Sequence, residues 1–215
     1  AARRRDAEGR GKLAGIGVAN YLESPGAAPY ERTDVTVDVD GTVRAVIGTQ
    51  ASGQGHQTSF AQVVAEALDV PMESVSIEFG DSDRIAGGSG SHADRSMRLG
   101  GTILMQACED ILRQFRLRAA ERLGVDALEI SLAKARYVTA GGRSVGLFEV
   151  ASEAPLTATA EVSTRLHAHP NGVAACEVEI DSETGALEMT RYLSVDDVGR
   201  VINPMIVEGQ LHGGA

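Results

Sequence analysis

The sequence of 215 residues has no tryptophan, and aromatic residues make up only 4% of it. Its two cysteines, Cys108 and Cys176, are too few for a disulfide framework, a four-thiolate zinc site or an iron–sulfur centre. No apolar run approaches the roughly 20 residues that a membrane-spanning helix needs. These absences exclude a disulfide-stapled protein and an integral membrane protein, and we expect a soluble protein.

Positive charge is also scarce. The 20 lysines and arginines are outnumbered by 30 aspartates and glutamates, which gives a formal net charge of −10. Most of this surface would repel a polyanion, so we expect no nucleic-acid partner. Hydrophobic residues reach 43%, which excludes a disordered chain and suffices for one ordinary domain or two small ones.

The two ends of the sequence suggest a piece of a longer polypeptide. The chain begins with AARRR instead of methionine and stops at GGA. We expect residues 1–12 to form a basic tail or tether and residues 13–215 to form a partial domain. A naturally short subunit is the alternative.

Hydrophobic periodicity predicts a mixed, α+β fold. Apolar residues recur at helical spacing in two segments, and period-2 alternation around turn residues predicts hairpins. A strand is predicted at 13–22, hairpins at 33–47 and 173–195, and helices at 58–68 and 96–123, with Thr58 or Ser59 as the cap of the first helix and short strands within 125–160.

Glycine is the most over-represented residue, at 25 positions. Three loops that are rich in glycine or end in proline each lead into a predicted helix, at 48–56, 80–95 and 196–204. A helix start presents unpaired N–H groups and the positive end of the helix dipole. We therefore expect the three starts to converge on one large anionic cofactor.

Polar side chains near these helix starts suit a mixed donor and acceptor ligand. Gln54 and Gln210 each offer donors and an acceptor, and Ser52, Ser96 and Arg95 offer hydroxyl and guanidinium donors. Neither a P-loop nor a G-x-G-x-x-G fingerprint is present. The alternative for each loop is a tight turn that only needs glycine for its geometry.

Other chemical candidates are weaker. His167 and His169 precede a Pro-Asn-Gly turn, which favours a surface turn over a metal site. A triple-histidine centre would need His56, His92 and His212 to converge, and we predict no metal ligand among them. Asp196 and Asp197 are adjacent, so loop capping is a better interpretation than an acid–base pair. No G-x-S-x-G motif supports a serine nucleophile.

Four segments, in order and spacing, resemble the large subunit of the molybdenum hydroxylases, the xanthine dehydrogenase, aldehyde oxidase and aerobic carbon monoxide dehydrogenase superfamily. The resemblance lies in the molybdopterin-binding region, and the carbon monoxide dehydrogenase type is the nearest. The segments are GTQASGQGHQTSFAQVVAEALDVP, GDSDRIAGGSGSHADRSMRLGG, HPNGVAACEVEIDSETGALEMTRYLSVDDVGRVINP and VEGQLHGG.

The resemblance implies a molybdenum ion held by molybdopterin, extended to the cytosine dinucleotide in bacterial members. It assigns cofactor binding to two loops and to one glutamine beyond the third loop. The residues are Ser52, Gly53, Gln54 and Gly55 in the first loop, Asp94, Arg95, Ser96 and Met97 in the second, and Gln210.

The reaction implied is hydroxylation of a small molecule with a water-derived oxygen, or oxidation of carbon monoxide. The resemblance also implies an iron–sulfur small subunit with [2Fe–2S] centres, a medium subunit with FAD, a dimer of heterotrimers, and a cytoplasmic location at or near the inner face of the membrane. Open alternatives are an aldehyde or N-heterocycle hydroxylase within the family, a non-catalytic anion- or nucleotide-binding module, and a scaffold subunit.

No catalytic residue is assigned. In the family, the essential base is a glutamate of a Gly-x-Gly-Glu motif beyond the Gln210 region, and the substrate loop precedes the region that resembles this chain. Neither is among these 215 residues. We therefore expect the chain alone to bind the cofactor weakly and to be inactive.

Overall fold

The computed structural model describes residues 2–26, 28–164 and 167–215. Contacts divide the chain into two compact units. Residues 1–25 and 167–215 form the first unit, and residues 26–166 form the second. The second unit is therefore inserted between the two halves of the first.

Helices are interspersed among runs of strands along the described residues. The helices are α1 Ala2–Gly9, α2 His56–Leu68, α3 Thr102–Leu123, α4 Leu147–Ala151 and α5 Pro204–Gly214. The strands are β1 Lys12–Leu22, β2 Glu31–Val37, β3 Val43–Ile47, β4 Val75–Glu78, β5 Ile130–Ala133, β6 Arg136–Thr139, β7 Ser144–Gly146, β8 Leu156–Val162, β9 Asn171–Asp181 and β10 Leu187–Asp197. The α+β prediction is confirmed.

The first unit is built on an antiparallel sheet of order β1-β9-β10. Both the predicted strand at 13–22 and the hairpin at 173–195 are confirmed. At the hairpin turn the Asp181 carboxylate accepts hydrogen bonds from the N–H groups of Glu183 and Thr184. The carboxylate thus provides a hydrogen-bond acceptor for two backbone N–H groups of the turn.

The basic segment at the start of the chain includes helix α1, which is joined to β9 by ion pairs. Arg3 contacts Glu177 at 2.5 Å, and Arg10 contacts Glu179 at 2.6 Å. One arginine of the helix and one that directly follows it thus meet glutamates that share one face of the strand. The boundary predicted at residue 12 between a tether and a domain stays a prediction.

The second unit contains a four-stranded sheet of order β4-β3-β2-β8. The predicted hairpin is its centre, with Val37 opposite Val43. Every second residue of β2 is buried, as the period-2 pattern requires. Helix α3 contacts β8 and β2, and α2 contacts β4 and α3. The fully buried core between them includes Val35, Ile47, Phe60, Leu104, Ile111 and Phe115.

Both predicted helices of this unit exist, but their starts differ from the prediction. Helix α2 begins at His56, and its cap is Gly55 in a left-handed conformation with φ of +72°. The expectation of Thr58 or Ser59 as the cap is wrong, because glycine adopts positive φ at no steric cost and begins the helix earlier. The helix predicted from residue 96 starts with a π-helical turn, Ser96–Gly101, before α3.

The weakly patterned segment 125–160 forms a small sheet of order β5-β6-β7 followed by α4. The expected turn at Gly141 and Gly142 connects β6 to β7. Tyr137 of β6 anchors this sheet to α3, with its ring centroid 4.7 Å from that of Phe115. Within the described residues, no helix has the length and hydropathy needed to cross a bilayer.

Candidate functional site

The first two glycine-rich loops of the second unit touch through their backbones. A Cβ atom on Gly48 would overlap Gly87 O and would lie 2.5 Å from Gly88 Cα. A Cβ atom on Gly88 would in turn overlap the Gly48 backbone. Glycine is thus required at both Gly48 and Gly88. The close contact between them brings the first loop and the second loop, which are far apart in sequence, next to each other.

A chain of polar side chains fixes the two loops to each other. Thr49 Oγ1 lies 2.8 Å from Ser96 Oγ, and Ser96 Oγ donates to Ser91 Oγ over 2.8 Å. Ser91 Oγ lies 2.9 Å from His56 Nε2. Thr49 also donates to Gly90 O at 3.0 Å. These hydrogen-bonded side chains therefore join the first loop, the second loop and the first residues of two helical segments.

His56 is the first residue of α2 and is almost buried. Its ring packs against Phe60, with 5.2 Å between the ring centroids. Burial lowers the pKa of His56 below its ordinary value of 6.5. A neutral imidazole at neutral pH follows, which suits a ring that is packed against an aromatic side chain and bonded to a hydroxyl.

Arg95 lies between the second loop and the π-helical turn, with a fully buried side chain. Its guanidinium donates to Glu31 Oε2 and Gly90 O, both at 2.7 Å, to Tyr30 O at 2.5 Å and to Ala28 O at 3.3 Å. Four protein oxygens thus accept from this guanidinium, and Arg95 ties the second loop to the start of β2. A role for Arg95 in cofactor binding stays a prediction.

Glu31 faces Arg95 from the first position of β2 and is also fully buried. Burial raises the pKa of the Glu31 carboxyl, while the charge and hydrogen bond of Arg95 oppose that rise. Its other oxygen accepts from the Arg32 N–H at 3.2 Å. The carboxylate therefore completes the set of oxygens around the guanidinium.

The tip of the first loop is open to solvent and is shaped by Gln54. Gln54 Oε1 accepts from the Ser52 N–H at 2.5 Å. Gly53 between them has φ of +107°, and within the described residues no atom would contact a Cβ there. The bond orients the Gln54 side chain and leaves its NH2 group to donate elsewhere.

The helix starts differ in how their N–H groups are satisfied. In the described part of the chain, no side chain caps α2 or the π-helical turn. At α5, by contrast, Asn203 Oδ1 accepts from the Ile206 N–H at 3.1 Å. Pro204 occupies the first turn of α5 as expected, where its missing N–H costs nothing. The first two starts therefore lack the side-chain cap that α5 has.

Residues 94–97 combine an exposed strained turn with buried neighbours. Asp94 is exposed with φ of +55°, next to Ala93 with φ of +50°. Such left-handed pairs without glycine cost energy and are concentrated at functional sites. Ser96 is buried and Met97 is half-buried, so Asp94 is the side chain of this segment that solvent reaches most easily.

Gln210 lies on α5 in the first unit and is exposed. The structure brings the Ser52–Gly55 loop and the Asp94–Met97 segment into one unit. Convergence of these two loops with Gln210 stays a prediction.

The remaining candidates are placed as follows. Asp196 accepts a hydrogen bond from Tyr21 Oη at 2.7 Å, and Asp197 accepts from the Gly199 N–H at 2.9 Å. The Asp197 contact is the loop cap that we expected. His167 and His169 are exposed. Across residues 2–26, 28–164 and 167–215, no three histidine, cysteine, aspartate or glutamate side chains group as a metal site requires.

Comparison with known proteins settles the family. The model of the molybdopterin cofactor-binding domain matches residues 1–215. The chain belongs to this family. The resemblance expected from the four sequence segments is therefore confirmed.

Relatives with different substrates match the chain almost equally well. It is 32% identical to the carbon monoxide dehydrogenase large chain of Hydrogenophaga pseudoflava, over 94% of this chain and 28% of the relative. It is 31% identical to the nicotine 6-hydroxylase large subunit of Paenarthrobacter nicotinovorans, over 99% of this chain and 29% of the relative. These relatives are thus named as a large chain and a large subunit, and this chain spans less than a third of each.

A solved structure agrees with the fold. The crystal structure of Cu,Mo-CO dehydrogenase in its carbon monoxide reduced state matches with a TM-score of 0.90 and 28% identity. The match covers 99% of this chain and 30% of that chain. The molybdopterin-binding-domain fold that the resemblance implied is confirmed.

Sequence reasoning missed the residues that hold the loops together. Thr49, Ser91 and Glu31 were not predicted, and His56 was considered only as a metal ligand. One feature pointed to Glu31: it continues the inward positions of β2, where a charged residue is unusual. For Thr49 and Ser91, the sequence offers no comparable indication.

Proposed function

We propose that this chain is the molybdopterin-holding part of a molybdenum hydroxylase large subunit, and that its cofactor is the cytosine dinucleotide form. The observation that carries the proposal is the contact between the two glycine-rich loops in a chain of this family. The loop contact places two uncapped helix starts in the same unit, where their N–H groups suit an anionic ligand.

Both backbone groups and side chains hold the cofactor in this proposal. We assign the pterin to Gln54, whose remaining NH2 group complements an acceptor on a mixed donor and acceptor edge. The Ser52–Gly55 backbone and the first turn of α2 suit the phosphates. Asp94–Met97 supplies the opposite wall through its backbone, and Gln210 supplies a second amide.

When bound, the cofactor supplies the two-electron redox chemistry of substrate hydroxylation. The chain's own contribution is to place and orient that cofactor. The bond from the Ser52 N–H to Gln54 Oε1 sets the direction in which the amide donates. Arg95 keeps its charge inside the fold, so its charge acts on the loop and not directly on the ligand.

The partners belong to the same proposal. The relatives are named as a large chain and a large subunit, which supports assembly with other subunits. We propose an iron–sulfur small subunit with [2Fe–2S] centres, an FAD medium subunit, a dimer of heterotrimers and a cytoplasmic enzyme at or near the inner membrane face. Electrons from the substrate then leave through groups that this chain does not carry.

Metal and nucleotide analysis of the full-length protein tests the proposal. We expect about one molybdenum per chain and release of cytidine monophosphate on acid hydrolysis. Gln54→Ala should lower molybdenum content, while Gln106→Ala, which changes an exposed glutamine on α3 away from both loops, should not. A full-length protein that binds nucleotide but holds no molybdenum would favour the non-catalytic anion-binding alternative.

We propose two alternative substrate classes, carbon monoxide on one side and aldehydes or N-heterocycles on the other, and the names of the relatives support carbon monoxide and an N-heterocycle. Dye reduction by the assembled enzyme with carbon monoxide, an aldehyde and a pyridine derivative distinguishes them. The isolated 215-residue chain should give no turnover with any of these. Turnover by the isolated chain would show that the essential groups lie within it.

A further inference from the structure

Ser91 is the meeting point of the polar chain between the two cofactor loops. Its hydroxyl lies 2.9 Å from His56 Nε2 on one side and 2.8 Å from Ser96 Oγ on the other. His56 is the first residue of α2, directly after Gln54 and Gly55. A single hydroxyl thus connects the start of α2 to the start of the π-helical turn.

We propose that Ser91 and His56 are positioning residues, which hold the two loops in the cofactor-binding arrangement before the cofactor binds. This inference rests on the proposed function and adds to it two residues that do not themselves touch the cofactor. Holding a site in its bound geometry reduces the ordering cost of binding.

The Ser91–His56 contact can hold a loop because the groups around His56 are buried. His56 is buried against Phe60, and Thr49 and Ser96 are buried as well. Hydrogen bonds between buried groups break at a cost, because the groups left behind have no water to bond. Ser91, itself half-buried, draws the exposed part of the second loop onto this buried set.

Other attachments of the second loop cannot fix the start of α2. Gly90 O accepts from Thr49 and from Arg95, at 3.0 and 2.7 Å. The first contact reaches residue 49, just after β3, and the second lies within residues 90–95, so neither reaches α2. Only the Ser91–His56 contact, among the hydrogen bonds described, joins this loop to α2, and therefore to the backbone that follows Gln54.

The test compares Ser91→Ala with Ser82→Ala in the full-length protein, prepared without cofactor. Ser82 lies on the same loop and is exposed, so it is a matched control. We expect amide hydrogen exchange within residues 50–57 and 88–92 to become about tenfold faster in Ser91→Ala, the change that loss of roughly 1.4 kcal/mol produces. Exchange in β8 should stay the same in both variants.

Two further variants keep the test independent of folding failure. Ser91→Thr retains a hydroxyl and should restore slow exchange, which a purely steric role for serine would not give. His56→Phe keeps an aromatic ring against Phe60 but removes the nitrogen that bonds Ser91, and it should speed exchange in the same segments. Wild-type exchange rates in both Ser91→Ala and His56→Phe would overturn the proposal.

The second readout is retention of the cofactor. Ser91→Ala, loaded with molybdopterin, should lose pterin during dialysis about tenfold faster than Ser82→Ala, as expected for loops that are less ordered. Faster exchange with unchanged retention would also overturn the positioning role. Absence of molybdopterin from the unchanged protein would instead refute the proposed function, and the exchange comparison would still decide whether Ser91 ties the loops together.

Discussion

Arg95 and Glu31 form a fully buried ion pair, with 2.7 Å between Nη1 and Oε2 and no solvent exposure on either side chain. The pair joins the second glycine-rich loop to the first residue of β2. Removing one partner of such a pair leaves a buried charge without compensation, which typically costs about 3–5 kcal/mol. Arg95→Met should lower the free energy of unfolding by about this amount in urea titrations.

Glu31→Gln completes a double-mutant cycle on that pair. The amide oxygen of glutamine still accepts a hydrogen bond and carries no charge. We therefore expect the Arg95→Met, Glu31→Gln double variant to be more stable than Arg95→Met alone. Strictly additive losses would show that the two side chains do not interact energetically.

Gly48 is the position where an added methyl group should disturb both loops at once. Gly48→Ala places a Cβ atom against Gly87 O and Gly88 Cα. Overpacking against backbone typically costs about 1–3 kcal/mol, because backbone cannot move aside as a flexible side chain can. The control is Gly141→Ala, where the added Cβ contacts only Thr139 Oγ1 at 3.9 Å. Circular dichroism during urea unfolding should show a loss for the first variant and a change within about 0.5 kcal/mol for the second.

His56 should make the second unit less stable in mild acid. Because burial lowers the pKa of His56, the unfolded chain takes up this proton at a higher pH than the folded chain. Its contribution to stability is therefore complete above about pH 6.5 and is lost as pH falls. The free energy of unfolding, measured from pH 8 to pH 5, should fall less steeply in His56→Gln. An NMR titration of His56 with a midpoint above 6.5 would contradict this prediction.

Cys108 should be unreactive in the folded protein. It is fully buried on α3, and burial raises the pKa of its thiol to about 12. Since the thiolate is the reactive species, alkylation at pH 8 should be more than about a thousandfold slower than for an unfolded cysteine. Mass spectrometry after iodoacetamide treatment should find the label on half-buried Cys176 first. Equal labelling of both cysteines under native conditions would contradict this burial.

Local patterns were enough to predict the hairpins and the long helices. The alternation from Thr33 to Ile47 and the helical stripe that includes Ile103 and Leu104 depend on neighbouring residues alone. The parallel pairing of β3 with β4 was not predicted, since it joins Val43 to Val75 across a helix. Parallel strands need such a crossover, which no local pattern encodes.

The candidate site shows the same division between local and long-range information. The glycine positions predicted two loops at helix starts, and the structure places those loops in contact. The residue type of Arg95 suggested a ligand donor, but burial and pairing depend on Glu31, which is 64 residues away. Roles for Gln54 and Gln210 remain predictions, because their type indicates what they can bond and not what they meet.

A crystal structure of the full-length protein loaded with molybdopterin tests the proposed function most directly. We predict the cofactor within hydrogen-bonding distance, about 3 Å, of Gln54 and of the Asp94–Met97 backbone, with the Arg95 guanidinium still bonded to Glu31. A cofactor bound elsewhere, with neither glycine-rich loop in contact with it, would contradict the proposal.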